Sequence, residues 1–291
     1  MNRTSFSILL VSFFFVFALY VLIFGTTKST TSIFSPLADR NSKVFPTYIV
    51  TPSPIPTHPP LSPTPTPLTG YCLTVPVLMY HHVQPMMEAI KNGQTSLTVD
   101  NGVFDNQMKY LSDSGYHSIT AADLITALRQ KSSLPPKSVV VTLDDGYADV
   151  YQNAFPSAQK YHIILNLMIS TGLVNNPGYM TWDNIKQMVG TGSVQAYNHT
   201  WSHYSLSSGT QQKQETEILT AKQQLEQHLG KPDTILTYPY GTFNNTSVSI
   251  LTKNGFVGAF STMPGWIECD SILYSLHRQR VGSIPLSSYR L

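Results

Sequence analysis

The chain has 291 residues, of which 42% are hydrophobic and 12% charged, with a formal net charge of +2. That is apolar material for one sizeable core plus appendages. With no basic run, no internal repeat and no glycine-rich phosphate loop, a nucleic-acid partner and a nucleotide ligand are not expected.

In chain order, the first element is the uncharged run "FSILLVSFFFVFALYVLIFG", residues 6–25. As a helix it would cover about 30 Å, the thickness of a bilayer's hydrocarbon core. It reads as a single-pass transmembrane anchor behind a short cytoplasmic tip, residues 1–5. The competing reading is a cleaved signal peptide, whose apolar region runs to about 7–15 residues and ends at small side chains. "LYVLIFGTTKS" offers no such end. Charge does not orient the segment, because Arg3 lies on one side and Lys28, Arg40 and Lys43 on the other.

Residues 26–70 form a linker whose second half, "TPSPIPTHPPLSPTPTPLTG", is mostly Pro, Thr and Ser. Such a composition cannot bury enough apolar surface to order itself and favours extended polyproline conformations. It is a passive linker or a stalk that stands a folded domain off a membrane. The domain itself is expected at residues 71–291, outside the cell, tethered to the membrane or, if the first segment is cleaved, secreted. Cys72 and Cys269 fall near its two ends. In an oxidising compartment they would form a disulfide; otherwise they are two unrelated thiols.

Inside the domain, short β-rich apolar runs alternate with helical patterns: "TVPVLMY", "VFDNQMKYLSDSGY", "AADLITALRQ", "SVVVTLDD", "ADVYQNAFPSAQKY", "IILNLMIS" and "WDNIKQMVG". The exchange continues through "SVQAYNH", "QQKQETEILTAKQQLEQHLG", "TILTYPY", "TSVSILTKNG" and "FVGAFS". In the long helical run Ile218, Leu219, Leu225 and Leu229 share a face, and Gly230 marks its stop. Nearly continuous apolar strands separated by helices imply a parallel sheet covered by helices. About seven such units favour a closed α/β barrel, whose sites gather at the C-terminal ends of strands.

Asp144 and Asp145 end one of those strands, and Gly146 lets the chain turn so that both carboxylates can converge on one cavity. They are either a pair whose repulsion a cation relieves or two solvated turn aspartates. His199 and His203, four apart in "YNHTWSHYSLSSG", follow another strand with a spacing at which two imidazoles reach one metal. Together with a carboxylate they make the three-ligand shell of a catalytic metal site with an open position. "TYPYGTFNN" brings Pro239, Tyr240 and Gly241 to a third strand end, which by itself is also what a plain turn looks like.

These stretches, with "VPVLMYHHV", "LPPKSVVVTLDDGYADVY", "MTWDNIKQM", "NHTWSHYSL", "YPYG" and "LHRQRV", give the chain a resemblance to the polysaccharide deacetylases of the NodB-homology type, carbohydrate esterase family 4, over residues 74–285. The family's Thr-Phe-Asp-Asp-Gly stands here as Thr142, Leu143, Asp144, Asp145 and Gly146, and its His-Ser/Thr-x-x-His as residues 199–203. The resemblance implies a deformed (β/α) barrel of about seven strands. It also implies removal of acetyl groups from an acetylated extracellular polysaccharide, most of all one containing N-acetylglucosamine. The enzyme would act as a monomer with a divalent metal, zinc first. Asp145, His199 and His203 would hold the metal, Asp144 would be the base, and the Tyr240 backbone N–H, in the turn shaped by Pro239 and Gly241, would stabilise the oxyanion. Trp201 and Trp182 flank the site, as core residues or as a sugar platform.

Two departures stand out. The family often has an arginine that orients the catalytic aspartate where this chain has Thr237, so that support is expected to be absent. The ending "LHRQRV" fits the Leu-x-Arg-x-x-Val of the branch acting on poly-N-acetylglucosamine, whose first strand ends in Tyr-His, here Tyr80 and His81. His81, on the catalytic rim, is therefore expected to be the general acid rather than His277, with His82 turned to a packing role. A catalytically silent carbohydrate-binding domain and another metallohydrolase on a similar barrel are the alternatives; the intact metal and base residues favour the deacetylase.

Overall fold

The computed structural model describes residues 67–291. The segment read as a membrane helix, the tip before it and the linker up to residue 66 lie outside the described residues. Among the described residues no helix is long and apolar enough to cross a membrane.

The chain enters through β1 (Cys72–Thr74) and β2 (Val77–Tyr80), followed by β3 (His82–Gln84), helix α1 (Met86–Asn92) and β4 (Thr98–Asp100). Next come α2 (Asn101–Asp113), β5 (His117–Ser118), α3 (Ala121–Gln130) and β6 (Ser138–Asp145). The order continues with α4 (Phe155–Lys160), β7 (Leu165–Ile169), α5 (Trp182–Gly190), β8 (Val194–Asn198), α6 (Gln211–Leu229), β9 (Ile235–Thr237), α7 (Asn245–Lys253) and β10 (Gly258–Phe260). The last strands are β11 (Ile267–Cys269) and β12 (Gln279–Arg280).

The central sheet is parallel throughout and runs β10-β9-β8-β7-β6-β2-β12, with β5 also pairing β6. Sequential strands lie side by side from β6 to β10, as expected where each connection carries a helix back across the sheet. The sheet curls but does not close as a regular barrel. Between its ends there is a single isolated bridge, from Phe260 in β10 to Leu276 just before β12. Both flanking strands are short, three and two residues, so they hold too little ladder to complete the ring.

β6 is buried along all eight of its residues and β7 along all five, which is why both read as unbroken apolar runs. Val139, Val141, Leu143, Leu165 and Leu167 join one core cluster with Phe104, Met108 and Leu111 of α2. Helix α6 ends at Gly230, whose φ of 68° is the left-handed stop that glycine adopts without steric cost. Ile218 and Leu225 of that helix are buried, while Leu219 and Leu229 are only partly so.

At the edge, β1 and β11 pair antiparallel with Cys72 opposite Cys269, and the two are joined in a disulfide with Cα atoms 4.1 Å apart. The bridge staples the beginning and the end of the described chain, 197 residues apart in sequence.

Candidate active site

Because all the strands of the central sheet point the same way, their C-terminal ends form one rim. A cleft of 570 Å³ opens there, lined by His81 after β2, Asp144 and Asp145 of β6, His199 and His203 after β8, Tyr240 after β9 and Arg278 and Arg280 of the β12 segment.

The turn that brings the two aspartates together starts one residue earlier than the glycine. Asp145 itself has φ 72° and Gly146 φ 87°, and Gly146 N donates to the Asp144 carbonyl at 2.9 Å. A non-glycine residue in this region costs of order 1–3 kcal/mol and persists where the surroundings over-determine it. The loop after β8 repeats the pattern, with Thr200 at φ 63° and His203 at 57°, as does Tyr240 at 60°. Four residues of the site thus hold backbone conformations that most side chains avoid.

These conformations aim three ligand atoms at one point. Asp145 Oδ1 lies 3.2 Å from His199 Nε2 and 3.1 Å from His203 Nε2. His199 Nδ1 donates to the Thr237 carbonyl at 2.8 Å, which leaves the Nε2 lone pair facing Asp145. Asp145 Oδ1 is buried yet makes no properly directed hydrogen bond, although both imidazoles are close. A buried carboxylate oxygen without a donor, facing two imidazole nitrogens, is the donor set and the deficit that a divalent cation satisfies. Asp145, His199 and His203 are the cluster of potential ligands found among the described residues. Burial would raise the Asp145 pKa, but the charge of His203 beside it brings the carboxyl well below its ordinary value; burial likewise opposes charge on His203, which Asp145 nonetheless pushes up.

Asp144 turns to a different partner. Arg278, 1% exposed, grips it with Nη1 at 2.7 Å from Oδ1 and Nη2 at 2.8 Å from Oδ2, while its Nε donates to the Ser261 carbonyl at 2.9 Å and Nη1 also reaches Thr142 Oγ1 at 3.2 Å. Burial raises the Asp144 pKa, but the guanidinium outweighs it and holds the carboxyl below its usual range. The support expected to be missing with Thr237 is therefore present, supplied by Arg278 of "LHRQRV", which stands just before β12 and 134 residues after Asp144. Thr237 contributes its carbonyl to His199 instead.

Glu217 of α6 also escaped the sequence reading. Fully buried, it accepts hydrogen bonds from Ser202 N at 2.8 Å, Ser202 Oγ at 2.7 Å and Lys213 Nζ at 2.6 Å, while its carbonyl accepts from Trp201 N at 3.0 Å. It clamps the loop between the two histidines. In sequence it looks like one more polar helix residue, and only its place on the same helix face as Ile218 and Ala221 hints at burial.

His81 lines the cleft, and burial depresses its pKa against the opposing pull of Asp145 and Asp144. His82 points elsewhere: it pairs with Asp149 at 2.5 Å and stacks on Tyr147 at 3.6 Å. His277 does not line the cleft. Its Nδ1 bonds the Ile267 carbonyl at 3.0 Å and its ring covers Gly265. It adjoins Arg278, and alternation along the segment turns it away.

Tyr240 stands edge-to-face on His203 at 4.7 Å, within the turn Pro239–Gly241. A Cβ on Gly241 would lie 2.0 Å from Thr262 Oγ1, so that turn needs its glycine. Neither tryptophan lines the cleft: the Trp201 indole lies against Gly172, and Trp182 stacks on His228 at 3.9 Å.

An α/β fold with a strained, charge-rich rim over a curled parallel sheet is thus the frame of the site. The family model described as polysaccharide deacetylase matches residues 131–259. YxkH of Bacillus subtilis (strain 168), which carries a polysaccharide deacetylase name, is 31% identical over 207 residues, 71% of this chain and 71% of its own length. The poly-beta-1,6-N-acetyl-D-glucosamine N-deacetylase of Staphylococcus epidermidis is 26% identical over 62% of this chain and 67% of its own. Among solved structures, the Streptococcus pyogenes deacetylase PplD in complex with acetate superposes with a TM-score of 0.68 and 28% identity, covering 72% of this chain and 93% of that one. The chain belongs to the polysaccharide deacetylase family.

Proposed function

We propose that this protein hydrolyses acetamido groups of an extracellular polysaccharide containing N-acetylglucosamine, releasing acetate. The observation that carries the reading is the division of labour between the adjacent aspartates. Asp145 shares one point with two imidazoles, and Asp144, beside it, is kept ionised by a bidentate arginine. A binding module has no use for an ionised base held next to a ligand cluster, so a silent carbohydrate-binding role is the weaker reading.

Asp145, His199 and His203 would hold a divalent ion, zinc first for an Asp-His-His set. Bound there, the ion would polarise the acetyl carbonyl and bring the pKa of a water to about 7. Asp144 takes the proton of the attacking water as the water's oxygen bonds to the carbonyl carbon. The Tyr240 N–H donates to the oxygen as it gains charge, from a turn held open in the left-handed region. His81 delivers a proton to the nitrogen, the C–N bond breaks, and acetate and the sugar amine leave. Arg278 keeps Asp144 ionised before the attack and aimed throughout.

The composition of the first 70 residues supports action at the outer face of the membrane, with residues 6–25 as anchor and the Pro/Thr/Ser-rich stretch as stalk.

The test is acetate release from a panel of acetylated glycans, before and after chelation and after return of zinc. Release from N-acetylglucosamine polymers that is lost on chelation and restored by the ion is expected. Release unaffected by complete metal removal would overturn the metal assignment, and inactivity on every glycan the deacetylase reading. His81→Ala should lower kcat steeply with metal content unchanged, whereas full activity would end its role as the acid; His277→Ala should do little.

A further inference from the structure

The chain from Ser261, just past β10, to Glu268 in β11 supplies acceptors that fix the segment carrying Arg278. The Ser261 carbonyl accepts from Arg278 Nε at 2.9 Å and the Met263 carbonyl from Arg278 N at 2.9 Å. One residue earlier, His277 N donates to Glu268 Oε2 at 2.9 Å. Two consecutive amides are thus held by one stretch of chain, and the second belongs to the residue whose guanidinium grips Asp144. The same stretch reaches the oxyanion turn, where Thr262 Oγ1 donates to the Tyr240 carbonyl at 3.4 Å.

Glu268 is the costly member. It is fully buried, its Oε1 has no hydrogen-bond partner, and no Lys or Arg pairs with it among the described residues. His277 Nδ1 lies 3.9 Å from Oε2 but bonds the Ile267 carbonyl. Burial pushes the Glu268 pKa well above the ordinary carboxylate range, further than the His277 N–H brings it down. A leucine would fill this place without the penalty of a buried polar group. What it would not supply is the acceptor for His277 N.

We propose that Glu268 is a positioning residue, which by accepting from His277 N sets where Arg278 starts and so where its guanidinium meets Asp144. The inference rests on the deacetylase reading above. The His277 ring bonds back to Ile267 of β11, whereas the Arg278 side chain, one residue on, reaches into the site. A shift of the His277 backbone therefore passes to the arginine across a single peptide unit. A guanidinium that must meet both oxygens of one carboxylate tolerates little displacement, and a misplacement of about 1 Å can cost about a hundredfold in rate. Glu268 touches neither the substrate nor the reacting atoms; it acts through Arg278.

The experiment compares Glu268→Leu and Glu268→Gln with wild type in acetate release from an N-acetylglucosamine polymer, below each melting transition and with bound zinc quantified. Glu268→Leu should lower kcat by up to about a hundredfold with KM and zinc content little changed. Glu268→Gln, whose amide oxygen can still accept from His277 N, should restore kcat to within about twofold of wild type. The Cys72→Ser/Cys269→Ser double variant, which loses stability without losing this contact, controls for a purely structural effect and should keep wild-type kcat. Gly265→Ala reaches the same backbone from another side, because its Cβ would lie 2.7 Å from the His277 ring, and it too should lower kcat at constant KM. Wild-type kcat in Glu268→Leu, or a Glu268→Gln as slow as Glu268→Leu, would overturn the positioning role. Should Glu268→Leu fail to fold, wild-type kcat in Gly265→Ala would overturn it. Absence of acetate from wild type on every glycan would overturn the deacetylase reading instead.

Discussion

The catalytic rim and the stapled edge of this domain are built on opposite terms. The rim carries left-handed backbone at Asp145, Thr200, His203 and Tyr240 and buries Asp144, Arg278 and Glu217. The edge, where β1 meets β11, is a short antiparallel pair closed by a disulfide, with no such strain among its residues. The contrast teaches where stability is given up and where it is recovered. Positive φ and buried charge each cost free energy, and they persist on the rim because the apolar strands beneath and the tether at the chain's ends hold it in place.

The contrast breaks first at the ligand cluster. Asp145→Ala or His199→Ala should reduce acetate release to background and remove the bound divalent ion, as measured by metal analysis, with the fold retained by circular dichroism. Glycine at position 145 relieves the strained backbone there and is the cleaner probe: Asp145→Gly should be inactive with an apoprotein Tm no lower than wild type.

Next in size is Arg278. Arg278→Met strands a buried carboxylate and should destabilise the domain by about 3–5 kcal/mol in urea unfolding. The Asp144 carboxyl lies below its ordinary value in the folded protein, so the pair contributes stability at neutral pH that is lost only as pH falls below about 4 and through the folded pKa. Without the guanidinium that pKa rises, and the acid limb of the kcat/KM profile should move to higher pH. Adding Asp144→Asn should recover stability without recovering activity, which separates the ion pair's structural cost from its catalytic use.

Glu217 sharpens the comparison, because it supports the rim without lining the cleft. Glu217→Ala frees both Ser202 donors and should weaken metal affinity about 10–100-fold, read by competition with a chelating dye. Smallest for activity is the edge. Replacing Cys72 and Cys269 with serine should cost about 5 kcal/mol in the chain-entropy model for so long a loop, yet leave kcat unchanged below the melting transition.

Local chemistry carried much of this protein into view from sequence. Strand β6, helices α3 and α5 and the full length of α6 follow from hydrophobic period and stop signals that operate within a few residues. The cluster of potential metal ligands was legible for the same reason: Asp145, His199 and His203 each end or follow an apolar strand, and parallel strands bring their ends to one rim. Tertiary structure alone decided the rest. Whether the sheet closes depends on the lengths of β10 and β12, which pairing rather than composition sets. The direction of Trp201 depends on the Gly172 backbone it meets, and the burial of Glu217 on the loop it holds. Arg278 reaches Asp144 only because β12 pairs with β2 and β2 with β6, a register between segments more than 130 residues apart that no local pattern encodes.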